Sequence, residues 1–259
     1  MKILRLPEVT STNAWLRSHD DAEHGMVVVT DCQTAGRGQR GNSWEAEPGK
    51  NLTFSLMLRP AELRADRQFV VSSIVSLAIV RLLDRMLDEE NAKTLGSLRA
   101  AIKWPNDIYV DDRKIAGILI ENTLTGPCID SSIVGIGLNV NQQQFFSNAP
   151  NPVSLVQLTG RNYDLSALLE EICRDIIDLY DNCFSEKNAT DYEPSCEAVM
   201  AEYRRRLWRA DGFHPYRDNI RDENILARIF EIAPTGILTL ELTSGERRSY
   251  AFKEVSHLL

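Results

Sequence analysis

Apolar residues alternate with polar ones, or run as β-branched clusters, at 26–30, 52–58, 108–110, 115–121 and 133–140, with Gly, Asn and Asp between the runs. Period-two runs bounded by turn formers predict strands. Apolar positions recur instead at intervals of three and four over 12–18, 68–87, 165–184 and 196–208, which predicts helices, with Asp164 as N-cap of the third. The most apolar stretch, 69–87, carries Ser72, Ser73, Ser76, Arg81, Asp84 and Arg85. That is too polar for a membrane span and predicts a buried amphipathic helix.

Steps between strands are short and no helix alternates regularly with them. The pattern predicts an α+β fold around a mixed, largely antiparallel sheet rather than a doubly wound parallel one. Beyond about 211 the chain changes character, with short strands at 227–232, 237–242 and 247–252 and turns at 234–236 and 244–245. This last fifth reads as a small β-barrel of its own.

Composition narrows the class. The 259 residues are 43% hydrophobic and 25% charged, an ordinary folded balance. A formal charge of −8 argues against broad nonspecific attraction to nucleic acid. Cys32, Cys128, Cys173, Cys183 and Cys196 are scattered and have no metal-ligand spacing, which suits a reducing compartment and no protein-held metal. The first thirteen residues, broken by Arg5, Pro7 and Glu8, lack the apolar core of a signal peptide, so a cytoplasmic protein is expected. His19, His24, His214 and His257 are isolated and read as structural or exposed. Asp111 and Asp112 read as a solvated turn whose charge could sit beside Lys114.

Three segments carry chemistry. The first, 33–44, reads QTAGRGQRGNSW. Glycine backbone amides can approach a phosphate closely and two guanidiniums can neutralise it; a surface hairpin with solvated arginines fits equally well when the segment is taken alone. Gly36, Gly38 and Gly41 satisfy a dinucleotide-loop spacing, but Pro48, Gly49 and Asn51 follow too soon for the helix such a loop must open. The second, 103–110, reads KWPNDIYV and is followed by Arg113, Lys114 and Gly117. Pro105 locks a turn that Asn106 or Asp107 can hold, which aims Lys103; an aimed ammonium stabilises developing anions, and a surface lysine beside a turn is the plain alternative. The third, 135–141, reads GIGLNVN, where Asn139 offers a donor and an acceptor suited to a purine edge.

Together with the early Ser11, Thr12 and Asn13, these segments in this order resemble the biotin–protein ligase family over nearly the whole chain. The resemblance implies a biotin/lipoate ligase catalytic domain over 1–208 and a small SH3-like β-barrel over 209–259. It implies that Ser11, Thr12, Asn13, Gln33, Gly36, Arg37, Gly38, Lys103 and Gly117 surround biotin. Arg37, Arg40, Trp44, Asn106, Lys114 and Asn139 would bind ATP and the adenylate, with Lys103, Arg37 and Lys114 catalytic. The implied reaction activates biotin with ATP, accompanied by Mg²⁺, to biotinyl-5'-AMP and transfers it to a lysine of a biotin carboxyl carrier protein. Lipoate transfer and noncatalytic biotin sensing are the alternatives. Gln39 stands where many members have arginine, which predicts weaker retention of the intermediate. Ser11 comes too early for the DNA-binding domain that some members carry, so no DNA partner is expected. Members occur as monomers and homodimers, and the sequence chooses neither.

Overall fold

The structure is a computed structural model that describes residues 1–38, 44–60, 63–94, 97–146, 151–184 and 192–258. In chain order the elements are β1 (Lys2–Val9), α1 (Thr12–Arg17), β2 (Met26–Gln33), β3 (Leu52–Leu58), α2 (Phe69–Thr94), β4 (Ala100–Lys103), β5 (Asp107–Val110), β6 (Arg113–Thr125) and β7 (Cys128–Leu138). There follow α3 (Leu155–Thr159), α4 (Leu165–Phe184), α5 (Tyr192–Arg205), β8 (His214–Asp218), β9 (Glu223–Ile232), β10 (Leu238–Leu242), β11 (Arg247–Tyr250) and β12 (Val255–His257).

The expected α+β architecture is present. Seven strands form one sheet in the order β1-β2-β3-β7-β6-β5-β4, parallel only between β1 and β2. Five more form an antiparallel sheet, β11-β10-β9-β8-β12, where the small barrel was expected.

Alternation along the strands gives the large sheet two different faces. Val27, Val29, Phe54, Leu56, Val134, Ile136 and Ile118 join the core that holds α2 and α4. Burying each such side chain contributes about 1.5–3 kcal/mol. On the other face Met26, Val28, Met57 and Ile133 pack on Leu16 of α1. Beyond that cluster the same face carries Thr53, Gly117, Gly135 and Gly137, and there the surface opens.

Helix α2 departs from the amphipathic expectation. Between 69 and 83 only Ser72 and Arg81 escape full burial, because the sheet lies on one side and α4 and α5 on the other. An amphipathic helix needs a solvent face, and here one opens only at Arg81 and continues through Arg85 and Asp88. Asp164 caps α4 as expected: its Oδ1 accepts from the Ser166 and Ala167 amides at 2.7 and 3.2 Å. The strand expected over 133–140 instead spans Cys128–Leu138, and β1, β4, α3, β8 and β12 add elements that periodicity did not mark. Among the described residues no helix is long and apolar enough to cross a membrane.

Candidate active site

Sheet register alone assembles the centre of the site. Thr53 pairs with Gly137, Gly137 with Gly117, Gly117 with Asp107 and Asp107 with Lys103. Residues in one register row share a face, so Lys103, far from Thr53 in sequence, reaches the same opening. That opening is a cleft of about 670 Å³. Ser11, Thr12, Asn13, Gln33, Arg37, Gly38, Trp44, Lys103, Asn106, Lys114, Gly117 and Asn139, all singled out from the sequence, line it.

At one end, α1 is locked to the sheet. The Asn13 amide donates to Leu119 O at 3.3 Å and Glu121 Oε2 at 2.8 Å, while its Oδ1 lies 2.5 Å from Ser55 Oγ. Ser55 Oγ is also 2.7 Å from Thr12 Oγ1, so its one proton serves one acceptor at a time. Gln33 Oε1 accepts from the Thr12 amide at 2.9 Å and from its hydroxyl at 3.3 Å. Arg17 closes the cluster on Glu121 at 2.5 Å. The Glu121 carboxyl is desolvated by burial, but hydrogen bonds from Arg17 and Asn13 outweigh that and hold its pKa below the ordinary value. Ser11 is the N-cap of α1, accepting from the Ala14 amide. Asn13 and Ser11 thus bond to the protein itself, and Thr12 and Gln33 face each other across the cleft wall. Gly135 completes this end, since a Cβ there would collide with the Asn13 side chain.

The glycine loop leaves β2 at this point. Its base is closed by the Trp44 amide donating to Gly36 O at 3.2 Å. Arg37 is exposed at the cleft mouth. Arg40, with Gln39 and Gly41, lies outside the described residues.

The other end is built on the paired glycines. The Trp44 indole lies over Gly137 and Gly117, and its buried Nε1 has no partner among the described residues. Lys114 Nζ sits 5.8 Å from the Trp44 ring centroid and pairs with Asp107 Oδ1 at 2.6 Å. Asp112 lies in the exposed turn expected of it, and from there accepts from Trp208 Nε1 at 3.1 Å. The Asn106 amide donates to Ile118 O at 2.6 Å, which ties the lysine turn to β6. Asn139 donates to Val153 O at 3.1 Å and keeps a buried Oδ1 with no partner among the described residues.

Lys103 stands between the two ends. Its Nζ donates to Tyr109 Oη at 2.9 Å and lies 4.6 Å from that ring, and it forms no ion pair among the described residues. Burial pushes its pKa down; Asp107 opposes this, and Lys114 and Arg209 add to the lowering. The C-terminal sheet also reaches the cleft, through Phe252, Lys253, Val255, Ser256 and His257. His257 is therefore neither isolated nor exposed. Burial, then Lys103, Arg209 and His214, push its pKa down to about 3. No motif in the sequence marked these residues, because they arrive from a different sheet. Trp104, in contrast, packs as a structural residue, donating from Nε1 to Gly236 O at 3.0 Å.

A family model described as the biotin/lipoate A/B protein ligase family matches residues 4–139. The chain belongs to that family. It is 32% identical over 250 residues to a bifunctional ligase/repressor BirA of Bacillus subtilis, covering 93% of this chain and 69% of that one. It is 32% identical over 170 residues to a biotin–[acetyl-CoA-carboxylase] ligase of Paracoccus denitrificans, covering 64% and 67%. The match to another BirA, from Bacillus spizizenii, spans 51% of that protein's length. In structure the chain resembles a biotin protein ligase of Aquifex aeolicus solved with biotin and ATP, with a TM-score of 0.76, 22% identity and coverage of 98% and 97%.

Proposed function

We propose that this protein is a biotin–protein ligase of the cytoplasm, which activates biotin with ATP to biotinyl-5'-AMP and passes the biotinyl group to a lysine in the biotin-accepting domain of a carboxylase carrier protein. Residues 1–208 form the catalytic unit and 209–259 the SH3-like barrel. The observation that carries the reading is the position of Lys103, an ammonium without an ion-pair partner among the described residues, between a polar pocket at α1 and a tryptophan platform on paired glycines.

Gly135 and Asn139 lie four residues apart along one strand direction, about 13 Å at the usual strand rise. That span suits an elongated acyl-adenylate. Biotin lies at the α1 end, where Thr12 and Gln33 bond its ureido ring. Adenine lies at the other end, where Trp44 covers it and the Oδ1 of Asn139, unpartnered among the described residues, accepts from its exocyclic amine. The biotin carboxylate and the α-phosphate meet at Lys103. A carboxylate oxygen attacks the α-phosphorus as the bond to pyrophosphate breaks. Lys103, Lys114 and Arg37 neutralise the charge that crowds the site, and one such aimed donor is worth about 3 kcal/mol in the transition state. Mg²⁺ accompanies the ATP phosphates. In the second half, the carrier lysine attacks the acyl carbon and AMP leaves. Asn13, Ser11 and Asn106 fix the walls.

Incubating the protein with biotin, ATP, Mg²⁺ and a purified biotin carboxyl carrier domain tests this. Mass spectrometry will find one biotinyl group on a carrier lysine; an unmodified carrier, with the same carrier biotinylated by a known ligase, contradicts the reading.

A further inference from the structure

The chain beyond α5 is joined to the edge of the large sheet. The Ile102 amide donates to Arg206 O at 2.7 Å, the Trp208 amide donates to Ile102 O at 2.8 Å, and Ile102 pairs with Leu207 in parallel. In a parallel pair the next residues along, Lys103 and Trp208, fall side by side on one face. Lys103 Nζ lies 5.5 Å from the Trp208 ring centroid, with the Tyr109 ring as a second wall.

The indole is fixed from every side. Its Nε1 donates to Asp112, the Arg209 guanidinium lies 4.0 Å from its ring, and Tyr109 and His257 pack on it at 5.5 and 5.2 Å. A lysine carries four rotatable bonds and places its charge loosely unless walls restrict it.

We propose that Trp208 is a positioning residue for Lys103: with Tyr109 it forms an aromatic cradle that aims the ammonium at the reacting centre, and it carries the packing of the C-terminal sheet onto the catalytic lysine. The inference rests on the proposed role of Lys103 in adenylation. A core tryptophan with no such role would affect stability alone.

Several charged or titratable groups face Lys103: Asp107 and Tyr109 from β5, Lys114 from β6, Arg209 after α5, and His257 from β12. Burial is the largest influence on its titration, so replacing the indole with a smaller side chain admits water and raises the Lys103 pKa toward its ordinary value.

The experiment follows the Lys103 side-chain carbon beside Nζ by NMR in ¹³C-lysine-labelled full-length protein, with the signal assigned by Lys103→Arg, and measures pyrophosphate release in the same samples. Wild type and Trp208→Phe will titrate below an ordinary lysine. Trp208→Leu will titrate higher and lose about 10- to 100-fold in kcat, as misplacement of a catalytic group does, with a much smaller change in KM. Asp112→Ala, which frees the indole without removing it, will move both readouts in the same direction and serves if Trp208→Leu does not fold. A folded Trp208→Leu or Asp112→Ala protein with the wild-type Lys103 titration overturns the cradle. Absence of biotin-dependent pyrophosphate release from wild type contradicts the ligase reading instead, and the titrations still decide the cradle.

Discussion

Trp44 rests its indole on Gly137, in space that any side chain at 137 would fill. At Gly117, the cross-strand neighbour, an added Cβ would come 3.2 Å from the same ring. The pair of glycines therefore sets the height of the tryptophan above the sheet, and with it the width of the adenine slot. Gly137→Ala will raise KM for ATP by about tenfold or more, since forcing an extra carbon into a packed contact costs about 1–3 kcal/mol. Gly117→Ala will raise it less. Steady-state pyrophosphate release measures both, and an unchanged KM in Gly137→Ala would show that Trp44 does not line the nucleotide site.

Asn13 fastens α1 to two strands at once, to β3 through Ser55 and to β6 through Leu119 and Glu121. Truncation leaves buried donors and acceptors unpaired, a loss of about 2 kcal/mol. Asn13→Ala will shift the urea midpoint downward by a matching amount and weaken biotin binding in titration calorimetry, because Thr12 moves with the helix. If the midpoint holds while biotin affinity falls, Asn13 contacts biotin directly instead.

Acid stability has a definable origin in the C-terminal sheet. Asp218 is buried, which alone would raise its pKa, but the Arg221 amide, the Tyr250 hydroxyl, the Arg221 guanidinium and the Ile220 amide outweigh that and hold it at about 2, below the ordinary 3.8. A depressed carboxylate contributes stability that is present above the unfolded value and lost as pH falls through the folded one. Wild type will therefore lose stability between 3.8 and about 2. Asp218→Asn will be less stable at neutral pH and will lose that part of the slope in denaturant titrations run across the window. An identical slope in the variant would place the acid sensitivity elsewhere.

Most elements that the sequence marked are long enough to carry a sustained apolar pattern. Strand β3 and helix α4 match their expected bounds at both ends. Strand β1 escaped because it is a half-exposed edge carrying Arg5, Pro7 and Glu8, so no alternation survives. Helix α3 has only five residues, too few for a period, although its Ser154 and Gln157 form a capping box. The glycine loop, the Lys103 turn and Asn139 were legible as motifs because each needs special residue types at short spacing. The partners of those motifs were not. That Lys114 pairs with Asp107 rather than lying beside Asp112 depends on strand register and the irregularity between Ile108 and Tyr109. That Trp208 flanks Lys103 depends on a pairing between segments about a hundred residues apart, which no local pattern encodes.

In the proposed reaction Lys103 is the group where carboxylate and phosphate meet. Biotin-dependent release of pyrophosphate from ATP, compared in wild type and Lys103→Ala, tests it most directly, with lipoate in place of biotin as the control. Wild type will release pyrophosphate with biotin and not with lipoate, and Lys103→Ala will fall by about a hundredfold or more, the loss expected for one aimed cation. Equal rates in the two proteins, or release with lipoate alone, would contradict it.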